Sequence, residues 1–247
     1  SVTPLLPKQG SLNGVIRATN SRWPSSPSRA SSTDSALYEL CYAILPLDGD
    51  WGLLTRSMVV TSRFLLRNDS SSISFEIKQT GADDASAVLV APKDTASFHW
   101  GNFRLPELVS VRPSVEVDGR RIFKWSGGFD PLTIGPVPLR LRHVRGVPES
   151  LPTYPQIAGF RLRTVKAEAA IRPKTGGTGI NLSFEEEDPE GHGALFQVEN
   201  LSPFPVWVFQ DGILANPSRF SNDEDEGDFV GPSESICFGL DVPFRQG

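Results

Sequence analysis

One segment of this 247-residue chain occurs twice, and that repeat constrains the fold more than any other feature. Residues 63–79 and 195–210 share the order of their apolar positions, and in each an asparagine follows two alternating apolar residues. A proline, with a phenylalanine six residues later, follows downstream of each copy. The matched pairs are Phe64 with Phe196, Leu66 with Val198, Asn68 with Asn200, Ser70 with Ser202, Pro92 with Pro232 and Phe98 with Phe238. The repeat predicts two copies of one module rather than a single catalytic domain, and stacked modules usually offer a binding surface.

The spacing of apolar residues predicts strands along most of the chain. Ile73, Phe75 and Ile77 alternate with polar residues, which is typical of a half-buried antiparallel strand. Other short apolar runs are separated by turns that use the chain's 22 glycines and 21 prolines. The pair Asp118-Gly119 predicts a hairpin turn. We therefore expect an all-β protein made of two consecutive antiparallel β-sandwich-like repeat modules packed in tandem.

Composition divides the chain into three parts. Residues 1–35 are rich in serine, proline and arginine, and we expect a flexible linker, an insertion or an appended segment there. Residues 146–155 contain three prolines and predict the boundary between a first β module, residues 36–147, and a second, residues 148–247. Because the chain lacks an initiating methionine and opens on the linker-like stretch, we expect a fragment of a longer protein.

Charge and cysteine content exclude several classes of function. The net charge of −5 does not favour nucleic-acid binding, which requires a basic stripe. Residues 1–150 contain 17 Lys and Arg and 14 Asp and Glu, whereas residues 151–247 contain 7 and 15; this asymmetry either biases partner choice or only keeps the protein soluble. Cys41 and Cys237 are expected to be buried free thiols of a cytoplasmic protein. No run is long and apolar enough to cross a bilayer.

The sequence contains no pattern typical of an enzyme or a metal site. His99, His143 and His192 lack metal-ligand spacing and a nearby cysteine pair. A nucleophile elbow, a phosphate-binding loop and a dinucleotide fingerprint are all missing. We therefore expect no catalytic residues, no cofactor and no metal. A carbohydrate-binding or hydrolytic sandwich is disfavoured, because the acidic residues lie in runs on loops rather than as a pair on strands.

The repeated asparagines, Asn68 and Asn200, each follow an alternating strand and begin a serine-containing turn. An asparagine side chain in that position hydrogen-bonds nearby backbone groups. We expect both residues to hold the strand connection of their copy. Both also lie in Asn-x-Ser sequons, as does Asn181, but nothing else in the sequence supports the secretory route that glycosylation requires.

Aromatic residues cluster after the second asparagine. Phe204, Trp207 and Phe209 lie in a segment that also contains Pro203 and Pro205. Proline near a strand favours an edge position, and an exposed apolar edge is usually covered. A short extended peptide that adds itself as a strand would cover it, with side-chain pockets giving specificity. An ordinary sandwich core explains the aromatic residues equally well.

Several short motifs resemble a known family. In the second copy they are Phe196-Gln-Val-Glu-Asn200-Leu-Ser-Pro-Phe-Pro-Val206, Phe209-Gln210, Gly231-Pro-Ser-Glu-Ser235 and Cys237-Phe-Gly-Leu-Asp-Val-Pro243. In the first copy they are Phe103-Arg-Leu-Pro-Glu107 and Lys124-Trp-Ser-Gly-Gly-Phe129. Together they resemble the adaptor-binding, or SHORT-ROOT-binding-like, region of the vacuolar protein sorting thirteen family, over most of residues 37–247. That region is a row of β modules with one characteristic asparagine each, and Asn68 and Asn200 fall where this residue would be.

The resemblance implies a bridge-like lipid-transfer protein that acts at membrane contact sites, peripheral to organelles such as endosomes and mitochondria. Lipid would be handled by other parts of that protein, while these two modules would bind short Pro-x-Pro motifs of membrane-anchored adaptors. Edge chemistry, and not a family motif, assigns the peptide groove to the second module. The expected peptide-binding residues are Asn200, Phe204, Val206, Trp207, Phe209, Phe238 and Leu240. The alternative is a pair of rigid modules that serve only as a spacer and bind no peptide.

Overall fold

The computed structural model describes residues 12–19, 37–46, 55–144, 164–172, 179–186, 196–210 and 228–240. These residues are all-β, as the sequence predicts, and none of them lies in an α-helix. Asp84–Ser86 form one short 3-10 turn. The strands are β1 (Leu12–Thr19), β2 (Leu37–Pro46), β3 (Arg56–Ser62), β4 (Phe64–Asn68), β5 (Phe75–Gln79), β6 (Val88–Val90), β7 (Thr95–Phe98), β8 (Val109–Pro113), β9 (Glu116–Val117), β10 (Arg120–Arg121), β11 (Gly135–Arg140), β12 (Thr164–Ile171), β13 (Ile180–Glu186), β14 (Gln197–Glu199), β15 (Val206–Val208), β16 (Asp228–Val230) and β17 (Ser235–Cys237).

Two sheets enclose the main hydrophobic core. One has the strand order β6-β5-β8 and the other has the order β11-β12-β13-β4-β7. Apolar residues from both sheets alternate along their strands and meet in one buried cluster, as the period-2 pattern requires. Its members include Phe64, Leu66, Phe75, Ile77, Val90, Phe98, Trp100, Val109, Val111, Leu139, Val165, Ala167, Leu182 and Phe184.

Strand β5 is more deeply buried than its alternation predicts. All five of its residues are buried, including the polar Glu76 and Lys78 on the outward face. Arg112 on the neighbouring β8 donates from Nε to the Glu76 carboxylate at 2.7 Å, and the Lys78 ammonium lies 4.4 Å from the Trp125 ring centroid. The expectation of a half-buried strand is therefore wrong, because this layer of ion pairs and aromatic contacts covers the polar face.

One strand pair in the larger sheet is parallel and joins distant parts of the chain. Strand β13 pairs with β4 in the register Ile180↔Phe64 and Leu182↔Leu66. The β12–β13 hairpin thus lies between β11 and β4, although it comes from residues 164–186. The sheet therefore contains residues from both sides of the boundary predicted between 147 and 148; the proline-containing stretch 146–155 itself lies outside the described residues.

A separate three-stranded sheet, β1-β2-β3, precedes the sandwich. Residues 12–19 form β1 and pair with β2 along their whole length, so the linker expectation does not hold for these eight residues; the rest of 1–35 lies outside the described ranges. The sheet is fastened to the sandwich by Glu39, whose carboxylate is 1% exposed. It accepts hydrogen bonds from Arg17 Nε at 2.5 Å, Arg63 Nη1 at 2.9 Å and Trp100 Nε1 at 3.1 Å.

Two local predictions are confirmed. Asp118 (φ 52°) and Gly119 (φ 73°) both adopt the left-handed conformation that a two-residue hairpin turn needs, and Val117 pairs with Arg120 across it. Cys41 and Cys237 are both buried and neither forms a disulfide.

Candidate functional site

The Asn68 side chain fastens three separate backbone segments of the first copy. Its Nδ2 group donates to the carbonyl oxygens of Ile73 at 2.7 Å and Val90 at 3.0 Å, and its Oδ1 accepts from the Ser70 amide at 2.9 Å. The residue is fully buried. These bonds tie the end of β4 to the start of β5 and to the end of β6.

The Asn200 side chain repeats this arrangement in the second copy. Its Nδ2 group lies 2.8 Å from the Phe204 oxygen and 3.0 Å from the oxygens of Val230 and Gly231. Its Oδ1 accepts from the Ser202 amide at 3.0 Å. Both asparagine side chains thus hydrogen-bond backbone groups on the two sides of a strand connection, as their positions in the sequence predict.

The strands around the two asparagines also match in register. Strand β4 pairs with β7 as β14 pairs with β17, so that Leu66↔Ala96 corresponds to Val198↔Ile236. Strand β5 pairs with β6 as β15 pairs with β16, so that Glu76↔Leu89 corresponds to Trp207↔Phe229. In both copies the turn before the last strand contains a residue with positive φ, Lys93 at 61° in the first and Ser233 at 59° in the second. The strand pairings and the turn around the two asparagines thus correspond in these positions.

The outward face of these four strands differs between the copies. In the first copy it carries Glu76 and its ion pairs. In the second, Trp207 and Phe229 form an edge-to-face pair with ring centroids 5.4 Å apart, and they remain 53% and 50% exposed. Aromatic pairs that are this exposed are typical of surfaces that bind a partner.

The strand edges also differ. In the first copy, β5 has neighbours on both edges, because β8 pairs with it along five residues opposite β6. In the second copy, β15 pairs with β16 alone among the strands that the structure describes. An extended chain can therefore pair with the free edge of β15 in the place that β8 takes beside β5.

The structure separates the seven predicted peptide-binding residues into three groups. Val206, Trp207 and Phe209 lie on or next to β15, at its open edge. Asn200 and Phe204 belong to the turn before it, where Phe204 is 71% exposed. Phe238 and Leu240 follow β17: the Phe238 amide donates to the Phe196 oxygen, and Leu240 forms a parallel bridge with Leu139 on β11.

Phe229 was missed by the sequence reasoning, although it contacts Trp207 directly. It follows the acidic run 222–228, and its pairing with Trp207 depends on a strand register that no local pattern reveals. Next to it, Asp228 accepts a 2.8 Å ion-pair contact from Arg140 of β11, and both side chains are largely buried. This pair links the second unit to the sandwich.

Asp84, in the first copy, has a pKa well below its ordinary value. A hydrogen bond from the Lys78 ammonium lowers the pKa of Asp84 to about 2, and the Trp125 indole and Arg112 contribute. Asp84 thus keeps its charge in acid and completes the polar layer over β5. Such a layer stabilises the outward face of β5.

The chain matches no protein-family model, and no curated protein gives a significant sequence match. Among the described residues there is no helix of a length and hydropathy that could cross a membrane.

Proposed function

We propose that this chain is a peptide-recognition fragment in which an extended segment of a partner adds a strand to the open edge of β15. The observation that carries the proposal is the difference between the two copies. The edge of β5 is occupied by β8, whereas the equivalent edge of β15 has no strand beside it in the described part of the chain. An unpaired edge with exposed aromatic side chains is the usual acceptor for a strand from another molecule.

The chemistry of the edge favours a peptide that contains proline. Backbone hydrogen bonds to β15 supply affinity that does not depend on sequence, while Trp207 and Phe229 offer flat apolar surface for alternate side chains. Proline rings pack well on such aromatic faces, and their fixed φ lowers the entropy that the peptide loses on binding. A disordered segment that orders on one short motif binds with a Kd of roughly micromolar magnitude.

Two further elements belong to this proposal. We assign the chain to two β-sandwich-like modules in tandem, on the evidence of the duplicated four-stranded unit. The resemblance of its motifs to the adaptor-binding region of the vacuolar protein sorting thirteen family suggests the biological setting. In that setting the partner carries a Pro-x-Pro motif on a membrane-anchored adaptor, and binding targets a lipid-transfer protein to organelle contact sites.

Fluorescence anisotropy with a labelled Pro-x-Pro peptide tests the proposal, with an Ala-x-Ala version as the negative control. Trp207→Ala and Phe229→Ala are expected to weaken binding about tenfold or more, since buried aromatic contacts dominate such interfaces. Leu89→Ala is the matched control, because Leu89 lies at the position of Phe229 in the first copy and is 59% exposed. It should leave the affinity unchanged.

A lysine at Val206 extends the test to the strand itself. A charge at this half-buried position should abolish binding, provided that circular dichroism shows an intact fold. Equal affinity of the chain and all three variants would refute the β15 site. If neither peptide binds at any concentration, the fragment is a rigid spacer instead.

A further inference from the structure

The first sandwich is completed by a hairpin that precedes the second copy in the chain. Strand β13 lies parallel to β4, and Ile180, Leu182 and Phe184 point into the core. The Phe184 ring lies 6.4 Å from Phe75 and 6.1 Å from Phe129, measured between centroids. This joint buries Phe64 to 1% exposure and Leu66 completely. In the first copy the strands β11-β12-β13 thus extend the β4–β7 pair into one five-stranded sheet, with β13 pairing along the edge of β4.

The sheet β1-β2-β3 has the form of such an extension, but no described four-stranded unit pairs with its edge. Its strands have the same order and the same antiparallel pairing as β11-β12-β13, and its hairpin likewise precedes a four-stranded unit. One face is mostly apolar and is half-buried or exposed, with Met58 at 57% and Val60 at 47%. Its apolar residues include Ile16, Leu40, Tyr42, Ile44, Met58 and Val60, and Ser62 and Arg56 lie on the same face at its margins. Among the described strands, only β2 pairs with β3.

In the described part of the chain, the β14–β17 unit has no such hairpin along β14. Phe196 corresponds to the buried Phe64 but is 50% exposed, and Phe204 corresponds to the buried Ile73 but is 71% exposed. Strand β14 pairs with β17, and no other described strand lies along its free edge, where β4 has β13. Core positions of the repeated unit are therefore exposed on the side where a hairpin covers them in the first copy.

We propose that these two surfaces bind each other between molecules: the β1-β2-β3 sheet of one chain covers the β14–β17 unit of a second copy, with β3 parallel to β14. The joint between β13 and β4 inside the chain provides the geometry of this contact. Charge favours the same pairing, because β1–β3 carry Arg17 and Arg56 against Glu39, whereas the described residues of the β14–β17 unit carry Glu199, Asp228 and Glu234 and no basic residue. The two surfaces differ from each other, so the contact is heterologous and adds chains head to tail.

Sedimentation velocity on the 247-residue chain tests this, from about 1 to about 100 μM, a range that brackets a micromolar Kd. The average mass should rise with concentration. Val60→Asp blocks one surface and Phe196→Asp blocks the other, so each variant alone should stay monomeric, with association weakened at least about tenfold. Leu89→Asp, at an exposed position outside both surfaces, should associate like the unmodified chain.

Mixing the two blocked variants gives the decisive result. Each retains one intact surface, so an equimolar mixture should form a one-to-one dimer and nothing larger. If Phe196→Asp alters the circular dichroism spectrum, Phe204→Asp replaces it, since that side chain is more exposed. A chain that stays monomeric at all concentrations, variants that associate as the unmodified chain does, or a mixture that remains monomeric would each overturn the proposal. The outcome is independent of the β15 site, because Val60→Asp should still bind the Pro-x-Pro peptide.

Discussion

Replacing Asn68 with alanine should destabilise the protein far more than the size of the change suggests. The substitution removes two donated hydrogen bonds and one accepted hydrogen bond, and it leaves the oxygens of Ile73 and Val90 without that donor inside the core. Each bond contributes about 1 kcal/mol net, and a buried group left unpaired costs about 1–3 kcal/mol. We therefore expect a loss of about 3–5 kcal/mol. Since domains of this kind are stable by about 5–15 kcal/mol, such a loss is a large share of the total.

Urea unfolding followed by circular dichroism measures this loss. With a slope of about 1–3 kcal/mol per molar urea, the midpoint should fall by at least about 1 M. Ser72→Ala is the matched control: Ser72 is exposed and its amide, not its side chain, donates to Ser70 Oγ at 3.1 Å. It should change stability by no more than about 0.5 kcal/mol.

The equivalent substitution in the second copy should act locally. Asn200→Ala breaks the corresponding bonds to Phe204, Val230 and Gly231, but the unit around it has a smaller buried core. Hydrogen exchange should therefore quicken in residues 228–238, with little change in the urea midpoint.

For the Asn68→Ala protein, a free energy of unfolding within about 1 kcal/mol of that of the unmodified chain would refute the reasoning. The hydrogen bonds of Asn68 would then contribute no net stability.

Two other predictions concern charged groups. Glu39→Gln removes the charge that Arg17 and Arg63 share and should cost about 2–4 kcal/mol of the attachment of the β1-β2-β3 sheet, because it leaves the largely buried Arg63 guanidinium without this counter-ion, while Arg17 keeps Glu107. Hydrogen exchange in residues 38–45 should rise, and unchanged protection would contradict this role. Asp84 has a pKa below its unfolded value of 3.8, so it stabilises the fold above that pH, and this contribution is lost as the pH falls from about 4 to about 2. Because its side chain is 56% exposed, solvent screening limits the effect to about 1 kcal/mol, and Asp84→Asn should flatten the acid limb of the stability curve by that amount.

The sequence was informative wherever the determining interaction is local. Alternation at Ile73, Phe75 and Ile77 predicts β5 because side chains of a strand point to opposite faces with period 2. Asn68 and Asn200 could be assigned as turn fasteners because most of their partners lie within the same few residues, and the Asp118-Gly119 turn follows from the φ values that these two residues tolerate.

The contacts that could not be predicted are those between strands that lie far apart in the sequence. The parallel pair of β13 with β4 unites Ile180 with Phe64, and neither strand carries a mark that specifies the other. The burial of Glu76 follows from Arg112, which reaches it only after β8 docks beside β5. At the candidate site the same limit applied to Phe229, whose contact with Trp207 is set by the β15–β16 register.

Because β13 pairs in parallel with β4, the first folded unit extends beyond the first copy of the sequence repeat. It also includes the β12–β13 hairpin, which precedes the second copy in the chain. A truncation after residue 147 would keep the whole first copy of the repeat and yet remove β12 and β13, two of the five strands of its larger sheet. The fragment would then expose Phe64 and Leu66, which that hairpin covers, and should aggregate or unfold. A fragment that ends after residue 186 keeps both strands. Domain limits for expression, deletion or recombination are therefore better placed after the β12–β13 hairpin, which ends at residue 186, than at the prolines of residues 146–155.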